Sequence, residues 1–134
     1  AVGLVSGFGR LKGALASTVA HDSHNIVLVG SNERDMGLAA RVAAAKGGGL
    51  AVVSGGEVVS ELPLPVGGLM SDREAGEVVR QQEKIHRAAK LIGCTLPAPF
   101  MTMSFLALPV IPKLRITDRG LVDVNRFDFV DLWF

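Results

Sequence analysis

Two of the chain's three histidines fall in one nine-residue stretch, Ser17-Thr18-Val19-Ala20-His21-Asp22-Ser23-His24-Asn25, beside a carboxylate, hydroxyls and a carboxamide. As metal chemistry, His21, Asp22 and His24 offer two nitrogens and a carboxylate, ligand types that suit zinc or manganese. Residues three apart point to opposite faces of a strand but share one face of a turn, so the set converges only if the chain bends at Asp22-Ser23. Asp, Ser and Asn favour such bends. The set still supplies at most three ligands, and the remaining histidine, His86, lies at the edge of a helix stripe. As hydrolytic chemistry, Ser17, Ser23, His21, His24 and Asp22 contain the types of a catalytic triad. A triad draws its nucleophile, base and orienting acid from separate elements, however, and neighbouring residues rarely align in that way. The structural alternative is that these groups bond one another and the loop amides, fixing the turn. His21, Asp22, Ser23, His24 and Asn25 are therefore candidates for facing an active site or an interface, with His21, Asp22 and His24 forming an incomplete metal set.

The segment lies between two apolar runs, Ala14 to Ala20 and Ile26 to Val29, which as strands bring it to one end of a sheet. Leu4 to Phe8 and Ala14 to Ala20, joined by Gly9-Arg10-Leu11-Lys12-Gly13, predict a first hairpin. Ile26 to Val29 reads as a fully buried strand. Asn32 is placed to cap a helix from Glu33 to Lys46, with Glu33 and Asp35 in its first turn, Met36, Ala39, Ala40 and Ala43 on its apolar face, and Gly47-Gly48-Gly49 ending it. Gly55-Gly56 between Leu50–Ser54 and Glu57–Leu62 predicts a tight hairpin, and Pro63 and Pro65 stop its ladder. Ser71 to Glu74 has capping-box spacing for a second helix, which runs to Ile92 with Val78, Ile85, Ala89 and Ile92 on one stripe and Gly93 as its stop. The buried run Phe100 to Leu108, fenced by prolines, fits a strand or a short helix. Leu114–Thr117 and Leu121–Val124 around Asp118-Arg119-Gly120 predict a third hairpin, followed by an alternating tail through Phe127 and Phe129 to Leu132-Trp133-Phe134. The expected fold is α+β: a hairpin-rich, mostly antiparallel or mixed sheet with two main helices packed on it, as a two-layer sandwich.

A length of 134 residues suits one domain spanning residues 1–134. The 14 basic and 13 acidic side chains leave a net charge of +1, no footprint for a phosphate backbone or an anionic bilayer, so neither nucleic acid nor membrane is an expected partner. The one cysteine, Cys94, has no internal disulfide partner and reads as a small buried hydrophobe. With no apolar run of spanning length and no signal-like segment, the expected location is cytoplasmic. A chain that opens on Ala1 and an apolar run reads as a piece of something longer. A mean hydropathy of +0.37 with 5% aromatics fits either a large aliphatic core or apolar surface made to meet another domain or subunit. Gly7-Phe8-Gly9 with Gly13, and Gly47-Gly48-Gly49, are turn chemistry. Neither follows a strand and opens a helix, the arrangement that cradles phosphate.

Four blocks go beyond class: Thr18 to Asn25, Leu62-Pro63-Leu64-Pro65-Val66-Gly67-Gly68-Leu69-Met70-Ser71-Asp72, Pro99 to Pro112, and Ile116 to Val124. In this order they closely resemble the C-terminal domain of bacterial and archaeal adenine deaminases of the amidohydrolase superfamily, and the resemblance covers nearly the whole chain. It implies a parent enzyme of purine salvage or breakdown that hydrolyses adenine to hypoxanthine and ammonia with a metal-activated water, usually on manganese or iron in a binuclear centre. Those ligands belong to a TIM-barrel domain whose His-x-His motif has no counterpart in this sequence, so the chain alone is expected to be catalytically silent. Its implied partners are adenine through the parent, the barrel, and further copies in a homo-oligomer. The alternatives are a self-standing module that captures a metal or a small purine, and a pure oligomerisation domain.

Overall fold

The computed structural model describes residues 1–133. At its centre lies β1 (Ala14–Ser17), all four residues buried, paired antiparallel on one side with β2 (Val27–Gly30) and on the other with β3 (Gly49–Ser54). Adding β4 (Glu57–Pro63) gives the order β2-β1-β3-β4, antiparallel throughout. The β3–β4 hairpin turns on Gly55-Gly56 as its spacing predicts; both glycines have positive φ, 62° and 82°.

Side chains alternate across a strand, so β1 feeds two different cores. Ala14 and Ala16 point to one face, where with Ala51 and Val53 they meet Ala39 and Ala43 of α1 (Glu33–Ala45). Methyl-sized groups on both sides let helix and sheet approach closely. Leu15 points to the other face, joining Leu50, Val52 and Leu62 beneath Ile85, Ala88 and Ala89 of α2 (Ala75–Leu91) and Phe100 and Met103 of α3 (Pro99–Leu106). The α+β class with two main helices on an antiparallel sheet is what the structure shows. The helices take opposite faces, which adds a layer to the expected sandwich.

The start of α1 follows its capping signal. Asn32 Oδ1 accepts from the Asp35 amide at 2.8 Å, and its Nδ2 donates to Asp35 Oδ2 at 2.9 Å. Asp35 is buried and also accepts from the amides of Gly55 (3.1 Å) and Gly56 (2.7 Å), tying the helix to the hairpin. The Asn32 side chain first, then these amides and Arg34, hold its carboxyl below the ordinary carboxylate pKa against the opposing effect of burial.

Some local expectations change. No hairpin forms between Leu4–Phe8 and β1, because β2 and β3 already occupy both edges of β1; the leading segment instead meets the chain just after α2, through a Gly9–Cys94 bridge and the Thr95 amide donating to Phe8 O. Ile26 lies outside β2 and is 40% exposed, so that strand is shorter and less buried than its composition suggests. Ser71 does not cap α2: its Oγ accepts from the Arg73 amide, Glu74 stands at the cap without a side-chain bond, and an Arg73–Glu77 ion pair braces the first turn. The ambiguous apolar run is α3, opened by Pro99, whose missing N–H costs nothing in a first turn. A second antiparallel sheet, β5 (Leu114–Ile116), β6 (Leu121–Asp123) and β7 (Asp128–Val130), contains the third predicted hairpin. Of the predicted tail, Phe129 lies in β7, Phe127 and Trp133 are largely exposed, and Phe134 is outside the described residues. Cys94 is buried and free. Among the described residues, no helix is long and apolar enough to cross a membrane.

Candidate functional site

Between β1 and β2 the chain bends through residues 21–23, as Asp22 and Ser23 require, and the bend is fixed at its base. The His24 amide donates to Ala20 O at 2.7 Å, and the Ala20 amide donates to His24 Nδ1 at 3.3 Å. His24 Nδ1 thus accepts within the turn, while the residue as a whole is exposed. His24 takes a positive φ of 50°, a left-handed conformation that few side chains adopt. The His21 amide donates to Ser104 O at 3.0 Å, and its ring lies 5.3 Å from that of Phe105, so α3 forms the floor under the turn. His21 is half-buried; Asp22, Ser23, His24 and Asn25 are exposed.

Below the turn, buried Thr18 holds three segments together. Its Oγ1 donates to Gly68 O at 2.6 Å and accepts from the Gly49 amide at 2.8 Å. Gly48 at this junction has φ 123°, and a Cβ there would strike the Cα of Gly68. The 64–70 loop is thus seated against the end of β1, and it presents Val66, Leu69 and Met70 to solvent.

This geometry discriminates between the candidate chemistries. Ser17 is fully buried, and its Oγ turns back on Val19, accepting from the amide at 3.1 Å and donating to the carbonyl at 3.3 Å. Ser23 Oγ accepts from Asn25 Nδ2 at 3.4 Å. Both hydroxyls are engaged away from the histidines, so no nucleophile–base pair is assembled. The rings of His21 and His24 stand edge to face with centroids 6.1 Å apart, and among the described residues no three His, Cys, Asp or Glu side chains form a metal-binding group. His86, on α2, is stacked on Phe100 of α3 at 5.9 Å with an interplanar angle of 12°. The exposed part of the turn thus presents imidazole, carboxylate, hydroxyl and carboxamide to solvent.

The adenine deaminase C-terminal domain model matches residues 1–128. The chain is 55% identical over 132 residues to an adenine deaminase of Desulfatibacillum aliphaticivorans and 54% identical over 131 residues to that of Moorella thermoacetica, in each case over 98% of its own length. An adenine deaminase of Cereibacter sphaeroides is 54% identical over 97% of the chain. The chain belongs to the adenine deaminase C-terminal domain family. It spans only 22–23% of the length of these relatives.

Three of the four blocks that carry the family resemblance meet at this end of the sheet: the turn itself, the loop seated by Thr18 on Gly68, and α3 beneath His21. Sequence reasoning singled out the turn but missed two of its supports. Thr18 was legible as one of two hydroxyls, with Ser17, in an otherwise apolar run. The packing of Phe105 against His21 had no local signal, because some eighty residues separate them.

Proposed function

We propose that this chain is the C-terminal domain, residues 1–134, of an adenine deaminase that converts adenine and water to hypoxanthine and ammonia, and that the turn His21–Asn25 faces the substrate-bearing remainder of that enzyme. The observation that carries the reading is the asymmetry of coverage. Proteins named adenine deaminase match 98% of this chain, yet the match accounts for under a quarter of each of them. The form of the turn supports its assigned place. It is rigid at the base, through Ala20, Ser104 and Phe105, and polar at the exposed tip, where buried partners would satisfy groups that are costly to desolvate alone.

Manganese or iron belongs, in this reading, to the barrel. Two imidazoles at 6.1 Å without a converging third group do not fit a binuclear centre, so His21, Asp22 and His24 are read as presenting groups rather than metal ligands. The parent is further read as a cytoplasmic homo-oligomer, and the chain by itself as inactive.

The experiment is ammonia release from adenine by the full-length parent carrying His21→Ala or His24→Ala. Between about tenfold and a hundredfold loss of rate is expected, the range that misplacing a positioned group produces, with the melting temperature little changed. Wild-type rates in both variants would make the turn purely structural.

A further inference from the structure

Among the described residues the outer edge of β2 is unpaired in the sheet order β2-β1-β3-β4, and it opens onto a cavity of about 780 Å³. One wall is β2 with Ile26, another is Leu114 to Asp118 of the small sheet, and a third is the leading segment Ala1 to Ser6. Ser23 and Asn25 of the polar turn stand at its rim. The apolar groups around this space remain open: Val2 is 73% exposed, Leu4 80%, Ile26 40% and Leu114 46%. A strand edge with free amides and carbonyls beside an apolar trough is a template for one more strand, and proteins seldom leave such an edge uncovered.

What covers it follows from how the chain is joined. More than three quarters of each relative lies outside the matched segment, and for a C-terminal domain that sequence arrives through residue 1. Ala1 itself lines the trough. The residues leading into it are tethered at the mouth, so their effective concentration there far exceeds that of any free partner. An extended stretch of about four residues, at roughly 3.3 Å each, spans β2.

We propose that the trough between β2 and the β5–β6–β7 sheet is filled in the parent by the stretch of chain that leads into Ala1, paired along the free edge of β2. The inference rests on the reading that the parent is a longer adenine deaminase. The cover buries Ile26 and Leu114, gives β2 a second partner, and fixes the position of the polar turn relative to the preceding domain.

The test uses the full-length parent with single cysteines introduced at Ile26, Leu114 or Val58, and a maleimide probe in excess. Val58 lies on the opposite edge strand, β4, and is 43% exposed, close to the 40% of Ile26. With the trough filled, the thiols of Ile26→Cys and Leu114→Cys label about tenfold or more slowly than that of Val58→Cys, because they react only from an opened state. Comparable rates at all three positions overturn the proposal. So does protection that vanishes on dilution, which assigns the cover to a second copy, or protection that appears only when adenine is added, which assigns it to a ligand. Ammonia release measured on the same samples separates failure of the inference from failure of the deaminase reading: an active parent with fast Ile26→Cys labelling sinks only the former.

Discussion

Replacing Thr18 with valine keeps the shape of the side chain and removes one oxygen, yet that oxygen is the junction of three segments. Its loss strands the Gly49 amide, now 2.8 Å from an oxygen, and the Gly68 carbonyl, now 2.6 Å away, in a place closed to water. Each buried backbone group left without a partner costs about 1–3 kcal/mol, so Thr18→Val, which strands two, should destabilise the protein by about 2–6 kcal/mol. For a domain of this size, at about 3–5 °C per kcal/mol, that corresponds to a fall in melting temperature of roughly 6–30 °C. Thr18→Ser supplies the control: it keeps the hydroxyl, loses only a methyl, and should recover most of the difference. Thermal unfolding followed by circular dichroism reads both. A Thr18→Val protein that melts within a degree or two of wild type would refute the claim that the hydroxyl seats the 64–70 loop, and would leave apolar contact as what holds that end of the sheet.

Two further outcomes test the frame around the site. Because Asp35 titrates at a lower pH when folded than when unfolded, its contribution to stability is fully present above the unfolded value of about 3.9 and is lost as pH falls through the folded value. The urea midpoint of wild type should therefore drop more steeply below about pH 4 than that of Asp35→Ala; parallel curves would show that the carboxylate does not clamp α1 to the β3–β4 turn. Ile85, wholly buried between α2 and the sheet, should cost about 2–5 kcal/mol on truncation to alanine, and an unchanged urea midpoint would mean that α2 is not packed as described.

Elements whose causes are local were legible from residue types and spacing alone. Asn32 with Asp35 specified the start of α1, Gly55-Gly56 specified the tight hairpin, and Asp22-Ser23 specified the bend that carries the histidines, because capping, positive φ and side-chain-to-backbone bonds act within a few residues. Which edge each strand would find was settled by the packed chain. Leu4–Phe8 has the composition of a strand, but β1 has two edges and β2 and β3 fill both. Packing also decided that alanines and large aliphatics sort to opposite sides of β1 and draw α1 and α2 apart, and that His21 rests on Phe105 rather than beside a metal partner. Those outcomes depend on competition between segments far apart in the chain for the same buried surface, and no local pattern records which competitor wins.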